Sequence, residues 1–488
     1  MRALKARGRA RLGKSPTLRI KTGQGPCFHL LRAYDSPILI YASWFGYFCL
    51  GMEASIMRYL LISRRAAWLI FLYALCVLGA KASDERGVIR VDSPNDTSHV
   101  SDVLSRSVSA DGALILALEI LDYGVPAGKH STLLLKCEKA EHGIEIKSRV
   151  WVSEMATRKV LEDPSGRILL LGRWSSDQTT GMIGYDKVDF CLLNSNLERL
   201  STGTLPLGGI VFDAAWGSQG ALFVLARQVN ARDGYSYTLV KTGLFQPAEW
   251  TRSFPSGTDR WSLHIAGDKV IISGTAPRAR STAKANDEGL RLFIRVIGFD
   301  GKDTAFMEAG ESGEKFIGSF PMQGNRIGLL LNTWPEDDDL ARSSDYLKDF
   351  LADSTIRAYE IDLARAIWSA SLVGVFYDFA YHGLEHDGNV HIIGSSASPD
   401  FLSSNAKQDN GETPPGAFLA VYGLEGGLKR IRTMGFSEMF SAREICVYQK
   451  KILVIGMDSA AVLYDENTRA VPAAGKYLFY TLIDPVSK

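Results

Sequence analysis

The chain has 488 residues, 55 basic and 54 acidic, for a formal charge of +1. That neutrality is uneven: residues 1–82 hold thirteen Lys/Arg and two acids (Asp35, Glu53), leaving residues 83–488 at a formal charge of −10. An acidic main portion speaks against nucleic acid as a partner, because phosphate neutralisation needs clustered Lys and Arg.

The first predicted element is a secretory signal peptide. In "MRYLLISRRAAWLIFLYALCVLGAKASDE", Arg58, Arg64 and Arg65 precede an apolar run over 66–79, and Ala80-Lys81-Ala82 forms a small-x-small cleavage site before Ser83. The run is short of the roughly twenty residues a membrane-crossing helix needs, so an uncleaved anchor is the lesser reading and no membrane span is expected in the mature chain. The ahead-lying stretch is basic and acid-free to residue 31, followed by the apolar patch "PILIYASWFGYFCLG". Met52 or Met57 is the more natural start, with a two-helix anchor as the rival reading. Residues 1–57 are therefore read as an upstream extension or leader, 58–82 as the signal peptide and 83–488 as one domain, secreted or periplasmic. Cys137, Cys191 and Cys446 lie in apolar runs of that domain, and their odd number forbids full pairing. Buried free thiols are expected, with a Cys137–Cys191 bridge as the alternative.

The mature portion repeats. Seven apolar runs align: "ALILALEI" (113–120), "RILLLGRW" (167–174), "ALFVLARQ" (221–228), "KVIISGTA" (269–276), "RIGLLLNT" (326–333), "NVHIIGSS" (389–396) and "KILVIGMD" (451–458). Most follow a turn dipeptide such as Asp111-Gly112, Gly267-Asp268 or Asp387-Gly388, where Gly, Asn and Asp tolerate positive φ. The sixth column reads Leu118, Gly172, Ala226, Gly274, Leu331, Gly394, Gly456, and its small residues predict close approach near a shared axis. A strand precedes several runs ("GGIVFDAAW", "RWSLHIAG") and another follows each ("KVDFCLLNSNLE", "AFLAVYGLEGGLK"). With a less regular fourth strand, each unit is an antiparallel meander that cannot bury both faces alone.

This pattern resembles a seven-bladed β-propeller, an all-β fold, over residues 85–488; six and eight blades are the alternative counts. The last unit ends at its third strand, "KYLFYTLID", so "GVIRVDS" (87–93) is expected to pair with 476–483 and close the ring. Alternation puts Ile89 and Val91 toward a neighbouring blade and Arg90 toward solvent.

No local motif assigns chemistry. His382, Glu385 and His386 spell H-x-x-E-H, a zinc arrangement when helical. Here Gly383 interrupts it, the Asp387-Gly388 turn follows, and its repeat register is that of a strand, so no metal is expected. His391 stands in a core column and is expected as a satisfied buried histidine. The phosphate-loop pattern "GRARLGKS" (8–15) lacks a preceding strand and is followed by Pro16. The acidic run 336–339 lacks the spacing of a calcium loop, and Asn95-Asp96-Thr97 is a glycosylation acceptor only in a eukaryotic secretory path. No cofactor is expected.

Loop length is the informative feature. The connections after the aligned runs are short at first and long in later units, and in a meander propeller all emerge on one face. Residues just past the small column would ring that mouth: Glu119, Arg173, Arg227, Thr275, Asn332, Ser395 and Met457, with Trp174, Trp334 and Asp458 beside them. Glu119, Arg173, Trp174, Arg227, Asn332, Trp334 and Asp458 are the candidate ligand-binding residues, the two Arg suited to an anionic group and the Trp residues to a sugar or peptide. Helical spacing of Leu340, Tyr346, Leu347, Phe350 and Leu351 predicts a short amphipathic helix across this face. Two functional readings follow: an exported binding or scaffold protein for a protein or carbohydrate ligand, and a hydrolase or lyase acting on a carbohydrate or lactone through carboxylates such as Glu119 or Asp458.

Overall fold

The computed structural model describes residues 85–485, apart from single positions 110, 142, 154, 219 and 399 and the segments 92–97, 123–128, 175–186, 231–233, 255–259, 278–289, 310–313, 334–352, 363–364, 375–376, 402–415, 435–439, 459–461, 465–469 and 473–476. The leader, the cleavage site at Ser83, Asn95-Asp96-Thr97, the acidic run 336–339, Trp334 and the amphipathic segment 340–351 lie outside the described residues.

Among the described residues, all thirty elements are strands. Twenty-eight of them form seven four-stranded antiparallel sheets, and a small hairpin, Val462–Tyr464 with Ala470–Pro472, lies between the second and third strands of the last sheet. The first strands of blades 1 to 7 are Ser98–Val108, Met155–Glu162, Ile210–Trp216, Trp261–Ala266, Glu314–Met322, Asp378–His386 and Phe440–Tyr448. The second strands are Leu114–Asp122, Ile168–Trp174, Leu222–Asn230, Lys269–Pro277, Arg326–Thr333, Asn389–Ser396 and Lys451–Asp458, matching the seven aligned runs. Each first strand touches the first strands of the blades before and after it, and blade 7 returns to blade 1, so these strands form a closed innermost ring. The fold is a seven-bladed β-propeller.

Burial explains why these sequences take these places. Second and third strands are covered on both faces by neighbouring blades and are apolar without alternation, as in "VDFCLL" (Val188–Leu193) and "GAFLAVYG" (Gly416–Gly423). Fourth strands lie outermost and alternate exposed with half-buried, as in Arg199–Leu205. Seven apolar cores result, one between each neighbouring pair of blades. Cys137, Cys191 and Cys446 are buried and free. Burial pushes the Cys137 thiol up to about 12 and, as the larger effect beside Arg106 and Glu444, the Cys446 thiol up to about 11.

Strand Glu85–Arg90 pairs antiparallel with Tyr477–Ile483, Glu85 opposite Leu482 and Arg90 opposite Tyr477, and supplies the fourth strand of blade 7. Ile89 and Val91 are 2% and 3% exposed in the core shared by blades 7 and 1, while Val88 and Arg90 are exposed.

The small-residue column has a different cause from the one expected. Gly172, Ala226, Gly394 and Gly456 pair with Thr157, Val211, Ala380 and Ala442 on the first strand of the same blade, where each ladder shifts register at a β-bulge. The backbone of the bulged strand folds over the column: a Cβ on Gly172 would collide with the carbonyl of Ala156, and one on Gly394 with that of Phe379. Close approach is to the bulge inside each blade.

Candidate functional site

Six of the seven first strands carry this bulge, and the residue that resumes pairing after it stands at one level around the axis. Blade by blade that level reads Ser105, Lys159, Asp213, Ser262, Gly318, His382 and Glu444; blade 4, with Ser262, has no bulge. A polar belt thus lines the innermost ring of an otherwise apolar propeller. The aligned runs did not reveal it because it lies one strand inward; the legible trace was the recurrence of Lys159, Asp213, His382 and Glu444 in the less conspicuous strands ahead of the runs.

The innermost strands are joined blade to blade by polar contacts at and around this level. Lys159 Nζ lies 2.7 Å from Asp213 Oδ1, whose other oxygen accepts the Leu263 N–H of the next blade at 2.9 Å. His264 Nε2 lies 2.8 Å from Ser319 Oγ and 3.0 Å from the Ser319 carbonyl oxygen, linking blades 4 and 5. The Gln323 N–H donates to Glu385 Oε2 at 2.6 Å between blades 5 and 6. Arg106 donates from Nε and Nη2 to the Ile445 carbonyl at 2.9 and 2.6 Å, and Arg443 Nε lies 3.7 Å from Asp102, both between blades 7 and 1. Burial lowers the His382 and His264 imidazoles below the ordinary value, against the pull of Glu444 on the first and Asp213 on the second, so both are neutral at pH 7. Burial raises Asp102, with Arg443 opposing.

The candidate ligand residues sit on second strands, one strand out from this ring. Glu119 faces Asp102 in the ladder, Arg173 faces Ala156, and Arg227 faces Ile210. Glu119, Arg173, Trp174 and Arg227 are half-buried. The Trp174 backbone N–H donates to Asp189 Oδ2 at 3.1 Å, and Arg199 stacks over the indole ring at 5.9 Å. Asn332, 5% exposed, accepts from Ser354 Oγ at 3.1 Å, and that hydroxyl in turn accepts the Ala380 N–H at 2.7 Å, so Asn332 ties blade 5 to blade 6 from within. Thr275 is also buried. Asp458 closes its strand opposite Phe440, and its side chain lies outside the described residues.

His382 and His386 lie on one strand, opposite Ile393 and Asn389, ahead of a turn in which Asp387 and Gly388 have φ of 55° and 70°. Four strand residues span roughly 13 Å, too far for one zinc bonded at about 2 Å to share both rings. Gly383 has a packing role: a Cβ there would enter the ring of Phe320, which blade 5 inserts against it. His391 is buried as expected but not satisfied. Neither ring nitrogen has a partner in good hydrogen-bond geometry, and burial, with the His386 charge adding to it and the His386 backbone opposing, lowers its imidazole to about 4.

A carboxyl pair stands on the face that carries the second-to-third-strand connections. Asp353 begins the third strand of blade 5 and Asp378 the first strand of blade 6. Asp378 is fully buried; its Oδ2 accepts from Ser398 Oγ at 2.9 Å, while Oδ1 of each acid has no partner. Burial, then the neighbouring Asp353 and Asp400 charges working against the Ser396 and Ser398 hydroxyls, pushes Asp378 up to about 7. Burial likewise pushes Asp353 up to about 6. On the opposite, short-turn face, an open pocket of about 620 Å³ lies among the turns of blades 2 and 3, beside Phe245, which is 69% exposed.

No protein-family model matches the chain, and no curated protein sequence matches it. Among solved structures, the chain is similar to the Pan2 WD40 domain of Neurospora crassa, at 7% identity over 82% of this chain and 94% of that one, with a TM-score of 0.47. It is similar to the acylaminoacyl peptidase of Pyrococcus horikoshii at 12% identity over 77% of this chain, with a TM-score of 0.44, and spans about half (52%) of that protein. It is also similar to a variant of the Synechocystis apocarotenoid oxygenase, at 10% identity over 83% of this chain and 94% of that one, with a TM-score of 0.39. Among the described residues, no helix is long and apolar enough to cross a membrane.

Proposed function

We propose that this propeller is an exported binding protein, holding a protein or carbohydrate ligand on the face that carries the second-to-third-strand connections. The observation behind this reading is the inequality of the two faces. On one, connections run from Trp174 to Val188, Pro277 to Leu290, Thr333 to Asp353, Ser396 to Gly416 and Asp458 to Tyr477. On the other, Ala266 turns to Lys269, His386 to Asn389 and Tyr448 to Lys451. Long connections raised on a rigid scaffold are where binding surfaces are built. Arg173 and Trp174, half-buried at the inner end of the first of these, offer charge and an aromatic face, with half-buried Glu119 and Arg227 near the ends of the shorter connections of blades 1 and 3. Export rests on the basic, apolar and small-residue order of residues 58–82, and sequencing the N-terminus of secreted protein should find Ser83.

Binding is tested by screening the purified chain against glycan and peptide arrays. Hits should vanish when segments 334–352 and 402–415 are replaced by short Gly-Ser linkers and persist when the 243–249 turn on the opposite face is replaced. Hits that survive the loop replacement and vanish with the turn would assign binding to the other face.

A further inference from the structure

Three inner strands meet near the short-turn end of the axis in an arrangement the binding reading does not use. His264 lies close to the Gly267–Asp268 turn of blade 4. Its Nε2 is 2.8 Å from Ser319 Oγ of blade 5, within the reach a general base needs to take a hydroxyl proton. Ser319 Oγ is also 2.7 Å from Ser273 Oγ, a side chain with no solvent exposure. Ser273 can donate to one Ser319 lone pair while Ser319 donates to His264, a wire that leaves the second Ser319 lone pair clear of both partners. Farther along the ring, the carboxylate of Asp213 on blade 3 favours the charged imidazole electrostatically, against Lys159, and is itself held by Lys159 at 2.7 Å and by the N–H groups of Leu263 and Ala214, each at 2.9 Å.

The order Asp213, His264, Ser319 is that of a carboxylate, a base and a hydroxyl on three adjacent blades. Ser319 and His264 are both half-buried, so the hydroxyl is not sealed in the core. The bulge between Phe316 and Gly318 breaks the ladder just before Ser319, and an innermost strand has no ladder partner on its axial edge.

We propose that Ser319 is a nucleophile activated by His264, competent to accept an acyl group from a small carboxylic ester or thioester entering the axis from the short-turn face. Ser319 Oγ attacks the carbonyl carbon as its proton passes to Nε2. The bond to the alcohol or thiol breaks, and that group leaves with the proton from Nε2. Water then cleaves the acyl-serine by the same exchange, releasing the carboxylic acid. The imidazole Nε2 also faces the Ser319 carbonyl, and the tautomer protonated on Nδ1 is the one that serves as base. Burial lowers the imidazole, so the ring is neutral and able to take a proton at neutral pH, and the Asp213 carboxylate favours the imidazolium formed in transfer, with Lys159 opposing it.

The test uses the full chain and diisopropyl fluorophosphate, in which Oγ–P forms, P–F breaks and the proton leaves by way of His264. Peptide mass spectrometry of the unaltered protein should place one adduct on Ser319. The labelling rate should fall about 10²- to 10⁴-fold in His264→Gln, the usual weight of a general base, and p-nitrophenyl acetate should give an acyl burst absent from Ser319→Ala. The rate should rise with pH through an inflection below the ordinary histidine value. No adduct, an adduct elsewhere, or a rate indifferent to His264→Gln in a variant whose melting curve matches the parent would each overturn the proposal. The mapping on the unaltered chain decides the matter even where a variant fails to fold, and it is independent of what the long-loop face binds.

Discussion

The Tyr480 phenol oxygen accepts the Ile144 backbone N–H at 2.9 Å, joining the third strand of blade 7 to the fourth strand of blade 1. With the Lys139–Glu85 pair at 3.4 Å and the Arg106 bonds to Ile445, it ties together blades contributed by opposite ends of the domain. Two glycines make room for that phenol. A Cβ on Gly87 would overlap the Tyr480 ring, and one on Gly143 its hydroxyl.

Tyr480→Phe strands the N–H of Ile144, a residue 7% exposed. The expected loss is about 1–3 kcal/mol in urea unfolding. Gly87→Ala should displace the same ring and break the same bond, so the double variant should cost less than the sum of the singles. Additive costs would show that the bond is intact in Gly87→Ala.

Removal of residues 85–91 exposes the partners of Ile89 and Val91 and leaves the Tyr477–Ile483 edge without its outer strand. Burial of the two side chains alone is worth about 3–6 kcal/mol. The truncated chain should melt lower and associate through the freed edge, as sedimentation would show. A monomer melting with the parent would show that this strand does not hold the ring.

The turn from Tyr448 to Lys451 places Gln449 at φ 49° and Lys450 at φ 64°, left-handed values that side chains beyond Gly, Asn and Asp adopt at a cost. Replacing the pair by Asn-Gly should raise stability by about 1 kcal/mol, measured by denaturant midpoint at unchanged slope. A lower midpoint would mean that the Gln449 or Lys450 side chain holds the turn.

Asp378 and Asp353 give the fold a pH signature of known sign. Their folded values are raised to about 7 and about 6, so the native state binds protons that the unfolded chain has released above its ordinary value near 4. Their contribution is complete below about pH 4 and is lost as pH rises through 6 and 7. Asp378→Asn mimics the protonated acid and should be more stable than the parent at pH 8, the gap closing toward pH 4. A gap of the same size at both pH values would show that Asp378 is ionised throughout.

The second and third strands of every blade were legible in the sequence because both their faces are buried, which leaves unbroken apolar runs such as "ALILALEI" and "VDFCLL". The fourth strands were faint because one side meets solvent and alternation replaces the run. The first strands were seen in part, but not their bulges: one extra residue in a ladder changes no periodicity a single strand can display. Only the closed ring sets Lys159, Asp213, His382 and Glu444 at one level and brings His264 of one blade to Ser319 of the next, since residues some fifty positions apart become neighbours through the blade repeat, not through any local pattern. The H-x-x-E-H letters show the converse. Their meaning depends on whether the backbone has period 3.6 or period 2, and the strand separates what a helix would join.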